Sequence, residues 1–124
     1  MRPFAPSERH RFEGRVVVLV DGGTVSAAGM AAGLLQEYSD AILVGEESGG
    51  YAGMSNGIRQ LTIRGSHTDS GINFPLAHSV FAVNPHRRGR GAVPDVPSAP
   101  GAADLVAGRD PVLETAVRLL KEGR

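Results

Sequence analysis

Cysteine is absent from the 124 residues. Disulfides, thiolate nucleophiles and zinc–cysteine sites are therefore excluded. Tryptophan is absent too, and aromatic residues make up only 5% of the chain. That leaves no stacking platform for single-stranded nucleic acid. Neither sign of charge prevails, with 13 basic and 13 acidic side chains, so no overall field selects nucleic acid or membrane. No apolar run approaches the ~20 residues of a membrane span. The opening MRPFAPSERHRFEG has charge but no apolar core, so it is not a secretory signal. Lysine occurs once, at Lys121. Two local basic clusters, Arg2, Arg9, His10 and Arg11, and His86, Arg87, Arg88 and Arg90, read as solvated loops.

What is abundant is glycine, 17 residues, together with 8 prolines. Most of them punctuate periodic segments, which suits a loop-rich α/β protein of one domain or part of a larger one. The organising stretch is GRVVVLVDGGTVSAAGM, residues 14–30. Arg15 to Val20 is a nearly continuous β-branched run, as expected for a strand covered on both faces. Gly22 and Gly23 break it and permit unusual backbone angles. Thr24 is the expected N-cap of the helix that follows, and Ser26 falls in its first turn. A hydroxyl at that place sits beside unpaired N–H groups and the positive end of the helix dipole. Such a setting suits a nucleophile whose transition state carries an oxyanion. It equally suits an ordinary capping or surface serine. Thr24 and Ala28 stand where a hydrolase nucleophile elbow needs glycines. The spacing fits neither a dinucleotide fingerprint nor a phosphate loop.

From Val25 to Tyr38, Ala27, Ala28, Met30, Ala31, Leu34, Leu35 and Tyr38 recur at helical spacing. Ala41 to Val44 is a second buried strand, so the two strands are expected to be parallel, joined by a right-handed crossover. Gly45 to Gly57 is a long glycine-rich loop. It carries Glu46 and Glu47 just past the strand's carboxyl end, where open α/β sheets collect ligands. Ile58 to Arg64 alternates and reads as a half-exposed strand. His67 and Asp69 lie in a turn with no third ligand at metal spacing, so no metal site is expected. Ile72 to Leu76 and Ser79 to Val83 are extended pieces, and the stretch from Asn84 to Pro97 is irregular. Ala102 to Ala107 is a short turn or helix. Asp110-Pro111 then starts a terminal helix whose apolar face is Val112, Leu113, Ala116, Val117, Leu119 and Leu120, with a Glu114–Arg118 pair one turn apart.

Four segments taken together, GRVVVLVDGGTVSAAGMAAGLL, AILVGEESGGYAG, GRGAVPDVP and DLVAGRDPVLETAVRLLKE, resemble the C-terminal half of the catalytic domain of tail-specific (C-terminal processing) serine peptidases. The likeness runs from Phe12 to Glu122, leaving residues 1–13 as an irregular lead-in and 14–124 as part of that domain. The resemblance implies a Clp protease/crotonase-like α/β fold of βαβ sheet-and-helix layers, in an incomplete domain. It implies that Ser26 is the nucleophile. It also implies an oxyanion hole from the Ala27 backbone N–H, joined by Gly23, and a substrate loop of Glu46, Gly49, Gly50 and Tyr51.

The family's Ser-Lys branch places its base lysine where this chain has Gly50 or Tyr51, so the general base is unassigned. His67, His78 and His86 are the histidines within the likeness, and Asp95 is the acid of the GRGAVPD segment, where a structural turn is the ordinary role. Gly29-Met30 stand where the family often has Ser-Glu. The expected partner is a peptide or protein substrate, with no cofactor and no nucleic acid. A homo-oligomer or an upstream half is expected to cover an open sheet edge. A non-catalytic peptide-binding or assembly module of the same fold is the alternative, and an acyl-CoA binder a third reading. No compartment is indicated, although the family's members are often exported.

Overall fold

The structure, a computed structural model, describes residue 9 and residues 12–51, 53–55, 59–80 and 89–123. Arg2, His10, Arg11, His86, Arg87 and Arg88 of the two basic clusters lie outside the described residues, as do Ile58 and residues 81–83 of two expected strands.

The elements are β1 (Val17–Val20), α1 (Ser26–Tyr38), β2 (Ile42–Gly45), β3 (Gly53–Ser55), β4 (Gln60–Arg64), β5 (Gly71–Pro75), β6 (His78–Val80), β7 (Val96–Pro97), α2 (Ala102–Ala107) and α3 (Pro111–Glu122). β1 and β2 are parallel, with Val17 opposite Ile42 and Val20 opposite Gly45. β7 runs parallel along the other side of β2, so the order is β1-β2-β7 and β1 is an edge among the described residues. β7 lies within a stretch expected to be irregular. Two residues carry no periodicity, and long-range bonds hold them in place. The Asp95 N–H donates to Leu43 O at 2.9 Å, and its carboxylate accepts from Leu43 N at 2.8 Å and from Gln36 Nε2 at 2.9 Å. Asp95 is thus a structural bracket between β2 and α1.

Strand alternation divides the core. Val18, Val20 and Leu43 pack with Ala32 and Leu34 of α1, with Tyr51 and with Ala92. The intervening residues of β1 and β2 face the other way, where α3 crosses both strands. Asp110 caps α3, its carboxylate accepting from Val112 N at 3.1 Å and Leu113 N at 3.0 Å. Arg15 donates to Leu119 O in the last turn of α3 at 3.3 Å, a cation at the negative end of the helix dipole.

Several expectations need correction. α1 buries Gly29, Ala32 and Gly33, whereas Leu35 and Tyr38 are exposed. Its packed face is made of small residues because the ring of Tyr51 lies directly against the backbone there. A Cβ on Gly33 would stand 2.3 Å from that ring. The long loop after β2 contains β3, which pairs with β6 antiparallel. β4 and β5 form a hairpin in which every residue is exposed, not a strand with one covered face. Arg118 pairs with Glu122, not with Glu114.

Candidate active site

Ser26 opens α1 with φ +53°, and it is the one non-glycine residue of positive φ among the described residues. The left-handed region costs an L-residue roughly 1–2 kcal/mol. Gly22 and Gly23, expected to take such angles, do not lie in that region. They form the middle of a turn closed by Thr24 N donating to Asp21 O at 2.9 Å. Thr24 is not the N-cap either. Its hydroxyl donates to Asp21 Oδ1 at 2.9 Å and accepts from Asp21 N at 3.1 Å, so it is spent inside the turn. The N-cap is Val25, which has no side-chain oxygen to offer. Val25 O takes the N–H groups of Ala28 and Gly29, at 3.1 and 3.3 Å. Those of Ser26 and Ala27 meet no acceptor among the described residues. The exposed Ser26 hydroxyl therefore stands beside two open N–H donors at the positive end of a helix.

The loop after β2 is pressed onto this helix start. Gly49 N donates to Thr24 O at 3.1 Å. Gly50 lies so close that a Cβ on Gly29 would be 2.0 Å from Gly50 O. This explains why glycine follows Ser-Ala-Ala in this chain: the loop backbone occupies the space a side chain would need. Ser26, Ala27, Gly23, Gly49 and Gly50 thus gather around one turn of backbone. The two adjacent glutamates part company. Glu46 lines a cavity of ≈ 440 Å³ at the carboxyl ends of the parallel strands, together with Leu19, Thr24, Leu105, Arg109 and Val112. Tyr51, expected in the substrate loop, is 0% exposed with its side chain in the core, so it anchors the loop from below.

Glu47 holds the start of the loop, next to the end of β2. Arg90 grips it with Nε to Oε1 at 2.8 Å and Nη2 to Oε2 at 2.5 Å, and Gly91 N donates to Oε1 at 2.9 Å. Next to it, buried Ser48 accepts from Ala92 N at 2.7 Å and donates its own N–H to Ala92 O at 3.0 Å. The Arg90 hydrogen bond, then the Gly91 N–H, lower the Glu47 carboxyl from 4.5 to about 2. A depressed carboxylate contributes stability above its ordinary value and loses it as the pH falls toward the folded value. Urea midpoints of the wild type and Glu47→Gln should thus differ by a constant margin above pH 5. The wild type's lead should shrink between about pH 4.5 and 2. By its neighbours in sequence Arg90 is part of a solvated basic loop. With 43 residues separating it from Glu47, no local pattern marks the pair.

Of the three histidines weighed as base, His67 lies in the exposed turn between β4 and β5, and His86 is outside the described residues. His78, in β6, lines a cavity of ≈ 360 Å³ with Gly49, Gly50, Tyr51 and Arg90, which Ser26 does not line. Lys121 is on α3. Among the described residues no cluster of histidine and carboxylate side chains suits a metal ion, and no helix is long and apolar enough to cross a membrane.

No curated protein matches the chain. The profile of Peptidase family S41 matches residues 3–98, a span that takes in β1, the Ser26 turn, the loop after β2 and the Asp95 bracket. With most of its length matched, including every element that shapes the serine turn, the chain belongs to peptidase family S41 and is a serine peptidase domain.

Proposed function

We propose that Ser26 is the nucleophile of a tail-specific serine endopeptidase. Its Oγ attacks the peptide carbonyl, and the Ala27 N–H, joined by Gly23, takes the oxyanion. The amine leaves from an acyl-enzyme that water then hydrolyses. One observation carries this reading: the left-handed Ser26 lies beside N–H groups that meet no acceptor among the described residues. Strain of this kind at a non-glycine residue persists only where the surroundings enforce it. The loop of Glu46, Gly49 and Gly50 borders the substrate cleft in this proposal. Residues 14–124 form the C-terminal part of a Clp protease/crotonase-like catalytic domain, and the upstream half pairs with the edge of β1.

The Ser26 hydroxyl touches no base among the described residues. That favours a second reading, a non-catalytic peptide-binding or assembly module. A serine-reactive fluorophosphonate separates the two. Intact mass is expected to show a stoichiometric adduct on the wild type and none on Ser26→Ala. His78, which shares a cavity with the loop at Ser26, and then His67 are the histidines to replace next. If the folded wild type takes no adduct, these residues do not form a self-sufficient peptidase and the binding module stands.

A further inference from the structure

α3 carries more apolar surface than the sheet covers. Ala116 is buried, and Val112 and Leu119 beside it are partly covered. Leu113, Val117 and Leu120 are 49%, 39% and 44% exposed. These three are spaced by four and then three residues, so they form one stripe along the helix, the seam geometry of a helix pair. A shallow groove of ≈ 590 Å³ runs beside it, lined by Leu113, Glu114, Val117, Arg118, Lys121 and Glu122. The helix lies beyond the residues matched by the peptidase family.

The charges along the stripe say what covers it. Arg118 and Glu122 are already paired with each other at 3.3 Å. Glu114 and Lys121 have no charged partner among the described residues. They stand seven residues apart, so at 3.6 residues per turn they share one flank of the stripe. The opposite flank is the side that packs on the sheet and is closed to a partner. Two copies of α3 therefore meet through the same open flank, and only an antiparallel arrangement permits this.

A two-fold axis at Val117 puts Glu114 about 4.5 Å before the axis and Lys121 about 6 Å after it, at 1.5 Å rise per residue. Each Glu114 then lies beside the Lys121 of the other copy, and Leu113 packs near the other Leu120. We propose that the exposed stripe of α3 is a homodimer interface, two copies pairing antiparallel through Leu113, Val117 and Leu120, with two Glu114–Lys121 ion pairs along the rim. A seam of this length is small, so the dimer is weak and concentration-dependent.

Sedimentation velocity and light scattering on the 124-residue chain, from micromolar to near-millimolar concentration, test it. The wild type is expected to pass from monomer to dimer across that range. Val117→Glu puts two carboxylates on the axis and leaves only monomer. Lys121→Glu weakens dimerisation roughly tenfold, the scale of exposed ion pairs lost and replaced by like charges. The double variant Glu114→Lys with Lys121→Glu restores the wild-type dimer, because the pairs are re-formed with signs exchanged. This swap on the exposed flank also keeps the test open should Val117→Glu fail to fold. A wild type that stays monomeric throughout overturns the proposal. So does a dimer indifferent to Lys121→Glu, or a double variant no stronger than the single one.

Discussion

Replacing Tyr51 by alanine is expected to cost about 3–5 kcal/mol, the range for truncating a large buried aromatic side chain. The ring is fully buried and lies against the backbone of Gly33, in the cluster with Val20, Ala32, Leu43 and Ala92. The fully buried face of α1 is Gly29, Ala32 and Gly33, with Leu34 only partly buried at its margin, so α1 has little side chain to fill the vacated space. The site cannot collapse cheaply, which places the cost toward the upper end of the range. A domain of this size has a total stability of about 5–15 kcal/mol, so the loss is a large fraction of it. Urea denaturation followed by circular dichroism measures it. The change also reaches the serine, since Tyr51 anchors the loop whose Gly49 N–H holds Thr24 O. Fluorophosphonate labelling of Ser26 should therefore slow even under conditions where the variant is folded. Unchanged stability would mean that the loop is held by the Glu47–Arg90 grip and the Ser48–Ala92 pair alone.

The second large effect is expected at Gly29. An added methyl would stand 2.0 Å from Gly50 O and 3.1 Å from Thr24 O, both backbone atoms, where real contacts keep at least 3.0 Å. No side chain can swing aside to make room, so the loop or the helix start must move by about 1 Å. Alanine is the better helix former by about 1 kcal/mol. Overpacking costs about 1–3 kcal/mol, so the net change is at most a modest destabilisation, about 0–2 kcal/mol. The functional change is the larger one. A displacement of about 1 Å near reacting groups costs on the order of a hundredfold in rate. Gly29→Ala should therefore label at Ser26 on the order of a hundredfold more slowly while keeping most of its stability. Equal labelling of the two proteins would show that the packing of the loop on α1 does not set the serine's geometry.

Local pattern was enough for the elements with strong periodicity or clear punctuation. The run Arg15 to Val20, the helix before Ser39-Asp40 and the Asp110-Pro111 start of α3 all stand close to where local pattern puts them, because each is specified by neighbours within a turn or a strand. The place of Ser26 at the start of α1 was legible for the same reason, and three of the four family-like segments fall within the residues that the peptidase family matches. The parallel pairing of β1 with β2 also followed, since a helix-length crossover leaves few other arrangements.

What the chain could not announce depends on residues far apart in sequence. β7 is two residues long and exists because Asp95 reaches back to Leu43 and Gln36. Arg90 belongs with Glu47, although composition alone makes it a solvated cation. Thr24 had every mark of an N-cap, but the turn through Gly22 and Gly23 brought Asp21 within reach and took its hydroxyl. The strained angle fell on the serine instead of the glycines. Tyr51 reads as a loop residue by its neighbours and is a core residue by its contacts, because the small face of α1 leaves room for one ring. Periodicity and capping act over a few residues, and they fix which elements form. The angle at Ser26 and the fit of the loop against it arise from backbone meeting backbone across the fold, and only the packed molecule decides those.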